Sequence, residues 1–280
     1  MPIHDQSYRR YKGERISARS AWTVIALAGI ASFLKKRALL GVLLFAYLPF
    51  IVRIVQFYVA ANFQQAAPLL GPSTQVFRDF LEQQNFFVFL TTIYVGAGLI
   101  SLDRRANALQ IYLSKPLTRA EYIAGKLAIL FTFLVAVTLL PALLLLIGQI
   151  ILSGSFAFAR ANLYLFPAIT LFSLLEVLIV SVSMLALSSL STSSRYVAVM
   201  FASTMFFTDA IYGTLRAISG STRMSWISFT ASLSQVGDAI FRLTPRYDTP
   251  VLVSLIVLLA LATVSVSVLE RRVRGVEVVA

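Results

Sequence analysis

The chain has no cysteine, a single histidine, and only 12 acidic residues in 280. Each shortage removes a class of chemistry. Without cysteine there is no disulfide, no thiolate metal site and no thiol nucleophile. The one histidine, His4, precedes every long apolar run. A Ser–His hydrolase or a His-ligated metal centre among those runs therefore lacks its parts. Catalysis by carboxylates alone would need a close acidic pair, and Glu176 and Asp209 fall on different apolar runs at different expected depths. The sequence predicts no enzyme, no metal site and no cofactor of its own.

Charge is scarce as well. Only 13% of residues are charged and 58% are hydrophobic, with a mean hydropathy of +0.82. Soluble folds carry roughly 25% charge, and a globule of this length cannot hide so much apolar surface. What the chain has instead is long apolar runs. A bilayer core of ~30 Å needs ~20 helical residues, and six runs suffice, near 38–60, 85–102, 126–152, 164–190, 196–214 and 249–269. A seventh, Ser20–Leu34, ends in Lys35-Lys36-Arg37 and reaches only about 22 Å. It reads as an interfacial helix anchored by Trp22. The polar, basic first twenty residues predict no secretory signal. The expected fold is an all-α polytopic membrane protein. It has an N-terminal region with an interfacial helix (1–37), a six-helix domain (38–269) and a tail (270–280).

The net charge of +12 does not imply nucleic acid, because the basic residues occupy the gaps between apolar runs, where they set topology. With both termini cytoplasmic, the inner side receives eight basic residues before Ala38, five in 103–126, Arg195, and three in the tail, 17 of 24. The outer side receives six: Arg78, Arg160, Arg216, Arg223, Arg242 and Arg246. This split predicts a multi-pass protein of the inner (plasma) membrane. Two outer segments exceed simple turns. In 61–84, Pro68, Gly71 and Pro72 precede an expected short helix, Ser73–Gln84. The segment 215–248 is apolar enough to dip into the membrane but too broken to cross it. It reads as a re-entrant helical segment before the last span, with Trp226, Ile227, Phe229 and Leu233 packed on the fifth and sixth spans.

The longest polar interruption on the inner side is SLDRRANALQIYLSKPLTRAEYIAGK, residues 101–126. Leu102, Ala106, Leu109, Tyr112 and Leu113 form one helical stripe, with Asp103, Asn107, Gln110 and Ser114 opposite, so residues 102–113 predict an amphipathic helix. Pro116 ends it at Lys115. Thr118-Arg119-Ala120-Glu121 is a capping box that starts a second helix, running through Gly125-Lys126 into the third span. On the residues alone, a solvated connector is the plainer reading. A surface helix hinged to a rigid lever is the sharper one.

The stretch LISLDRRANALQIYLSKPLTRAEYIAGKL resembles the first cytoplasmic loop of ABC-2 type transporter permeases. The matching positions are Asp103-Arg104, Leu109, Leu113-Ser114-Lys115-Pro116, Arg119 and Gly125-Lys126. Asn107-Ala108 departs from a common Gly-Thr, and Asp103 from a common Glu. The resemblance extends in outline over the chain and implies an exporter-like permease subunit. Its loop, 103–122, would be a coupling helix seated in a separate ATP-binding subunit through Asp103, Arg104, Arg105, Leu109, Leu113, Ser114, Lys115, Pro116, Arg119 and Glu121. Two copies of that subunit, with ATP and Mg, and a second or paralogous permease copy are the implied partners, besides membrane lipid. Gly125-Lys126 lacks the flanking residues of a Walker A loop, which leaves ATP hydrolysis to the partner. An ATP-independent secondary transporter or channel is the alternative.

Three ionisable residues fall within spans: Arg53, Glu176 and Asp209. Each costs roughly 2.5–3.5 kcal/mol at the centre of a bilayer on insertion scales, so each is expected to face protein or water. Glu176 either lines a path or bonds a neighbouring helix. Arg53 and Asp209 lie near outer ends, where snorkelling suffices. The hydroxyl-rich run Ser181–Ser194 predicts close helix packing.

Overall fold

The computed structural model describes residues 21–63, 71–108, 117–153 and 157–273. These are helical, with no strand among the described residues. A short helix α1 (Ala21–Leu34) precedes six helices long and apolar enough to cross a membrane. The first, Arg37–Asn62, is α2 (Arg37–Phe45) and α3 (Leu48–Asn62), with Pro49 in the first turn of α3, where a missing N–H breaks no helical bond. The second, Thr74–Arg105, consists of α4 (Thr74–Thr91), a π-helical turn at Thr92–Gly96, and α5 (Ser101–Arg105). The third, Arg119–Leu152, divides at Thr138 into α6 (Arg119–Val137) and α7 (Leu139–Leu152). There Pro141 has no N–H to offer the Val137 carbonyl. A short α8 (Ala157–Ala161) leads to the uninterrupted α9 (Leu165–Leu190) and α10 (Ser194–Ser219). After a 3₁₀ turn at Ser225–Ile227 come α11 (Phe229–Ile240) and the sixth long helix, α12 (Val251–Arg272).

The second, third and fourth long helices form the interior, and the first, fifth and sixth surround them. Two buried clusters fill the bundle. One lies toward the 101–126 stretch (the loop end), around Tyr122, Phe133, Val177 and Met184. The other lies toward the opposite, far end, around Phe77, Phe172, Phe241 and Leu258. The outer helices leave Leu44, Ile51, Phe206, Phe207 and Ile256 more than half exposed. In water such a surface is an association liability. Against hydrocarbon it is the favourable one.

Helix α1 runs beside the first half of α6 in the same direction, and Phe33 meets Phe133 edge-on at 6.1 Å. Two glycines permit the close approach. A Cβ on Gly125 would lie 2.9 Å from Ile25 Cβ and 3.0 Å from the Trp22 carbonyl oxygen, and one on Gly29 would lie 2.1 Å from Ile129 Cδ1. Trp22 itself is 39% exposed, and the helix packs along α6. Gly125→Ala is expected to push α1 away and to cost about 1–3 kcal/mol, the usual penalty of overpacking. Gly41→Ala, which meets nothing within 4 Å, is the control. Thermal unfolding of the two variants in detergent measures the difference.

Two expectations are corrected here. Ser73–Gln84 is not a separate short helix, and the second span does not begin at residue 85: α4 continues from the Ser73 cap, whose hydroxyl accepts the Val76 N–H, into that span. The polar run resembled a loop because its burial depends on partners far away in sequence. Arg78, counted above among outer-side charges, is 1% exposed and paired, and Gln84 donates to the Ala46 carbonyl at 3.0 Å. Residues 102–113 are not one unbroken helix. α5 ends at Arg105, and Asn107 takes a left-handed φ of 52°, which asparagine tolerates better than most residues. Trp226 is 42% exposed, while the 3₁₀ turn that carries it contacts the fifth and sixth spans.

Candidate functional site

At the loop end, the residues flanking the interruption are locked to three helices. Asp103 Oδ2 receives the Tyr122 hydroxyl at 2.7 Å and pairs with Lys126 Nζ at 2.6 Å. Arg104 donates to the Ser189 carbonyl. Ser188 Oγ accepts the N–H groups of Ile100 and Ser101, each at 3.1 Å, and donates to the Ala97 carbonyl at 2.9 Å. Those three backbone groups follow the π turn, where the α-helical ladder is interrupted, and the hydroxyl replaces their missing helical partners. The hydroxyl-rich run thus serves packing, as its composition suggested. Thr118 and Glu121 complete the reciprocal capping box, with Thr118 N–H to Glu121 Oε2 at 2.8 Å and Glu121 N–H to Thr118 Oγ1 at 3.2 Å. Arg105 and Arg119 are exposed. Leu109, Leu113, Ser114, Lys115 and Pro116 lie outside the described residues.

Midway along the bundle is a cavity of about 240 Å³. Glu176 and Asp209 both line it, with Phe86, Phe89, Phe201 and Phe206 among its walls. The expectation that these two acids sit at different depths is therefore corrected. Glu176 is 14 residues from Leu190 and Asp209 is 15 from Ser194, the two helix ends joined by a short turn, which makes the carboxylates level. Glu176 is 1% exposed, and its Oε2 has no hydrogen-bond partner among the described residues. Asp209 Oδ1 accepts the hydroxyls of Ser228 at 2.5 Å and Thr230 at 2.7 Å. Asp209 therefore fastens the start of α11, whose N-cap is Ser228, and does more than snorkel. Arg53 donates to Gln56 Oε1 at 3.1 Å on the same helix, apart from this cavity.

At the far end, Arg78 Nε donates to Asp238 Oδ1 at 3.1 Å, both side chains 1% exposed, and Arg78 Nη2 donates to the Ser234 carbonyl. The guanidinium lies 4.7 Å from the Phe172 ring centre. Gly237 leaves the room: a Cβ there would stand 2.7 Å from both Arg78 Nε and Phe172 Cε2. Arg246 Nε is 2.9 Å from Asp238 Oδ2, an ion pair without hydrogen-bond alignment, while its Nη1 donates to Glu82 at 2.8 Å. Burial opposes the charge on Arg246, but the Glu82 hydrogen bonds and the charges of Glu82, Asp238 and Asp79 outweigh it and raise its pKa. Sequence reasoning missed Arg78, Asp238, Arg246 and Glu82 as a group. The available signals were the i, i+4 spacing of Arg78 and Glu82 and the lone Asp238 in an apolar stretch.

A larger cavity of about 710 Å³ opens at the loop end, lined partly by Lys36, Asp103, Lys126 and Arg195. Among the described residues no group of three or more His, Asp or Glu side chains could hold a metal ion. No family model and no curated protein matches the chain.

Proposed function

We propose that this chain is the membrane-spanning permease subunit of an ABC-2 type, exporter-like transporter. Its long helices line a translocation path, and a separate ATP-binding subunit, present in two copies, drives it. A second permease copy, identical or paralogous, completes the assembly in the inner (plasma) membrane, with both termini in the cytoplasm. The 103–122 loop docks on the ATPase. The segment 215–248 closes the outer end, with α11 re-entering the membrane.

One observation carries this reading: the two ends of the motif-bearing loop, at Asp103-Arg104 and at 118–126, are tied to the interior helices. The capping box starts a helix that continues as the third span, and Asp103–Tyr122–Lys126 joins that helix to the end of the second. A push on the loop would move two interior helices as one body, which is gating rather than chemistry in this chain. The test is purification from the native membrane without overexpression. A soluble ATPase with a Walker A loop is expected to co-purify, and the isolated chain is expected to hydrolyse no ATP. Hydrolysis by the isolated chain would overturn the reading.

Glu176 favours one rival. An unpartnered carboxyl midway along a long apolar helix is also what an ion-coupled secondary transporter uses. In that case, transport in vesicles would continue after the ATPase is removed and would follow an ion gradient instead.

A further inference from the structure

The geometry points to the cavity between α4, α9 and α10 as a binding site for a small lipophilic organic cation, an ammonium or guanidinium carried on an apolar or aromatic body. As a substrate site it rests on the transporter reading. As a binding site it does not.

The charge pattern comes first. Glu176 and Asp209 line the cavity, and among the described residues no Lys, Arg or His does. Arg78, the cation whose field reaches Glu176, is hydrogen-bonded to Asp238 and Ser234. Glu176 Oε2 is buried without a hydrogen-bond partner among the described residues. Such a group needs an explanation, and its place on the cavity wall makes an occupant of the cavity the one the geometry offers. Asp209 has an oxygen held in place by two hydroxyls, so its position is fixed before any ligand arrives.

The walls supply the rest. Phe89 stacks on Phe201 at 5.9 Å between ring centres and meets Phe206 edge-on at 5.5 Å. Ring faces carry negative quadrupole charge and attract a desolvated cation within about 6 Å. Carboxyl oxygens and ring faces together select a cation with an apolar body over a hydrated metal ion, which would demand several oxygen ligands. At about 240 Å³ the space falls below the roughly 300–1,000 Å³ of ordinary ligand pockets, so the charged head must be compact. Phe86 and Phe206, 62% and 65% exposed, flank the opening between α4 and α10, where a longer tail could extend outward.

The experiment is equilibrium binding of radiolabelled benzyltrimethylammonium to the whole chain in lipid nanodiscs, without an ATPase. Its uncharged carbon isostere, 2,2-dimethylpropylbenzene (neopentylbenzene), and benzenesulfonate serve as competitors. Saturable binding is expected, displaced by unlabelled cation and by neither competitor. Glu176→Gln is expected to weaken it at least tenfold, and Phe206→Leu, which keeps bulk but removes the ring face, several-fold. Leu171→Ala, on the exposed side of α9, should leave it unchanged. Should Glu176→Gln not fold, Asp209→Asn and Phe206→Leu give the reading. Equal binding of the cation and the isostere, or full affinity in the folded Glu176 and Phe206 variants, would overturn the proposal. Saturable binding to a chain with no co-purifying ATPase would leave the site standing and remove the ABC reading. An ATPase that co-purifies with a chain unable to bind the cation would do the reverse.

Discussion

Asp238→Ala is expected to lower the melting temperature of the purified protein by on the order of 10 °C, more than any other single change at the far end. Removing one member of a buried ion pair leaves the other charge uncompensated, at a cost of about 3–5 kcal/mol, and each kcal/mol moves a chain of this size by roughly 2–4 °C. Arg78 has the required burial, 1% exposed, with the Phe172 ring beside its guanidinium. Arg246→Ala should do much less. Its side chain is 33% exposed, and exposed pairs contribute about 0–1 kcal/mol. The double variant Arg78→Met with Asp238→Leu should recover most of the loss, since replacing both members of a buried pair by apolar groups is often neutral or better. Thermal unfolding of the four proteins in one detergent is the measurement. An unchanged Asp238→Ala would mean that water reaches the pair.

Leu109→Asp or Leu113→Asp is expected to abolish association with the ATPase while membrane insertion and the melting temperature stay as in the parent. The expectation comes from the apolar stripe of the sequence, since both positions lie outside the described residues. A charge at the centre of a docked hydrophobic contact removes the small set of side chains on which such contacts depend. The helices on either side should be untouched, because their anchors are elsewhere: Ser188 and Ser189 hold the 97–104 end, and the capping box holds the 118 end. Co-purification with the tagged variants reads the outcome. Retained ATPase would mean that the stripe packs on this chain or on lipid.

The sequence foretold the spans wherever hydrophobicity alone defines them. The fourth, expected at 164–190, is Leu165–Leu190, and the sixth, expected at 249–269, is Val251–Arg272. The capping box at Thr118 was legible because its two partners are three residues apart. Arg78 and Asp238 are 160 residues apart, and no local pattern announces that a polar run will be buried by a partner so distant. The second span was therefore started too late. The level placement of Glu176 and Asp209 was missed for a related reason. The ends of an apolar run do not mark depth, whereas the short turn between α9 and α10 fixes it directly. The break at Asn107 also lay hidden, since a helical stripe reports which residues share a face and not where one of them turns left-handed.

The π turn at Thr92–Gly96 makes the second long helix a counted object. Such a turn is an α-helix with one residue too many, and each residue of an α-helix advances the facing by about 100°. Upstream, Phe86 and Phe89 line the cavity; downstream, Asp103 reaches Lys126. Deleting one residue from the turn would close it into regular helix with both partner sets still facing their neighbours, because the wide turn already absorbs the extra residue. Inserting a further residue would swing one set away by more than a quarter rotation, and no apolar substitute could repair it, because what is lost is phase rather than volume. Between Phe89 and Asp103 the chain has one residue to spare and no room for another.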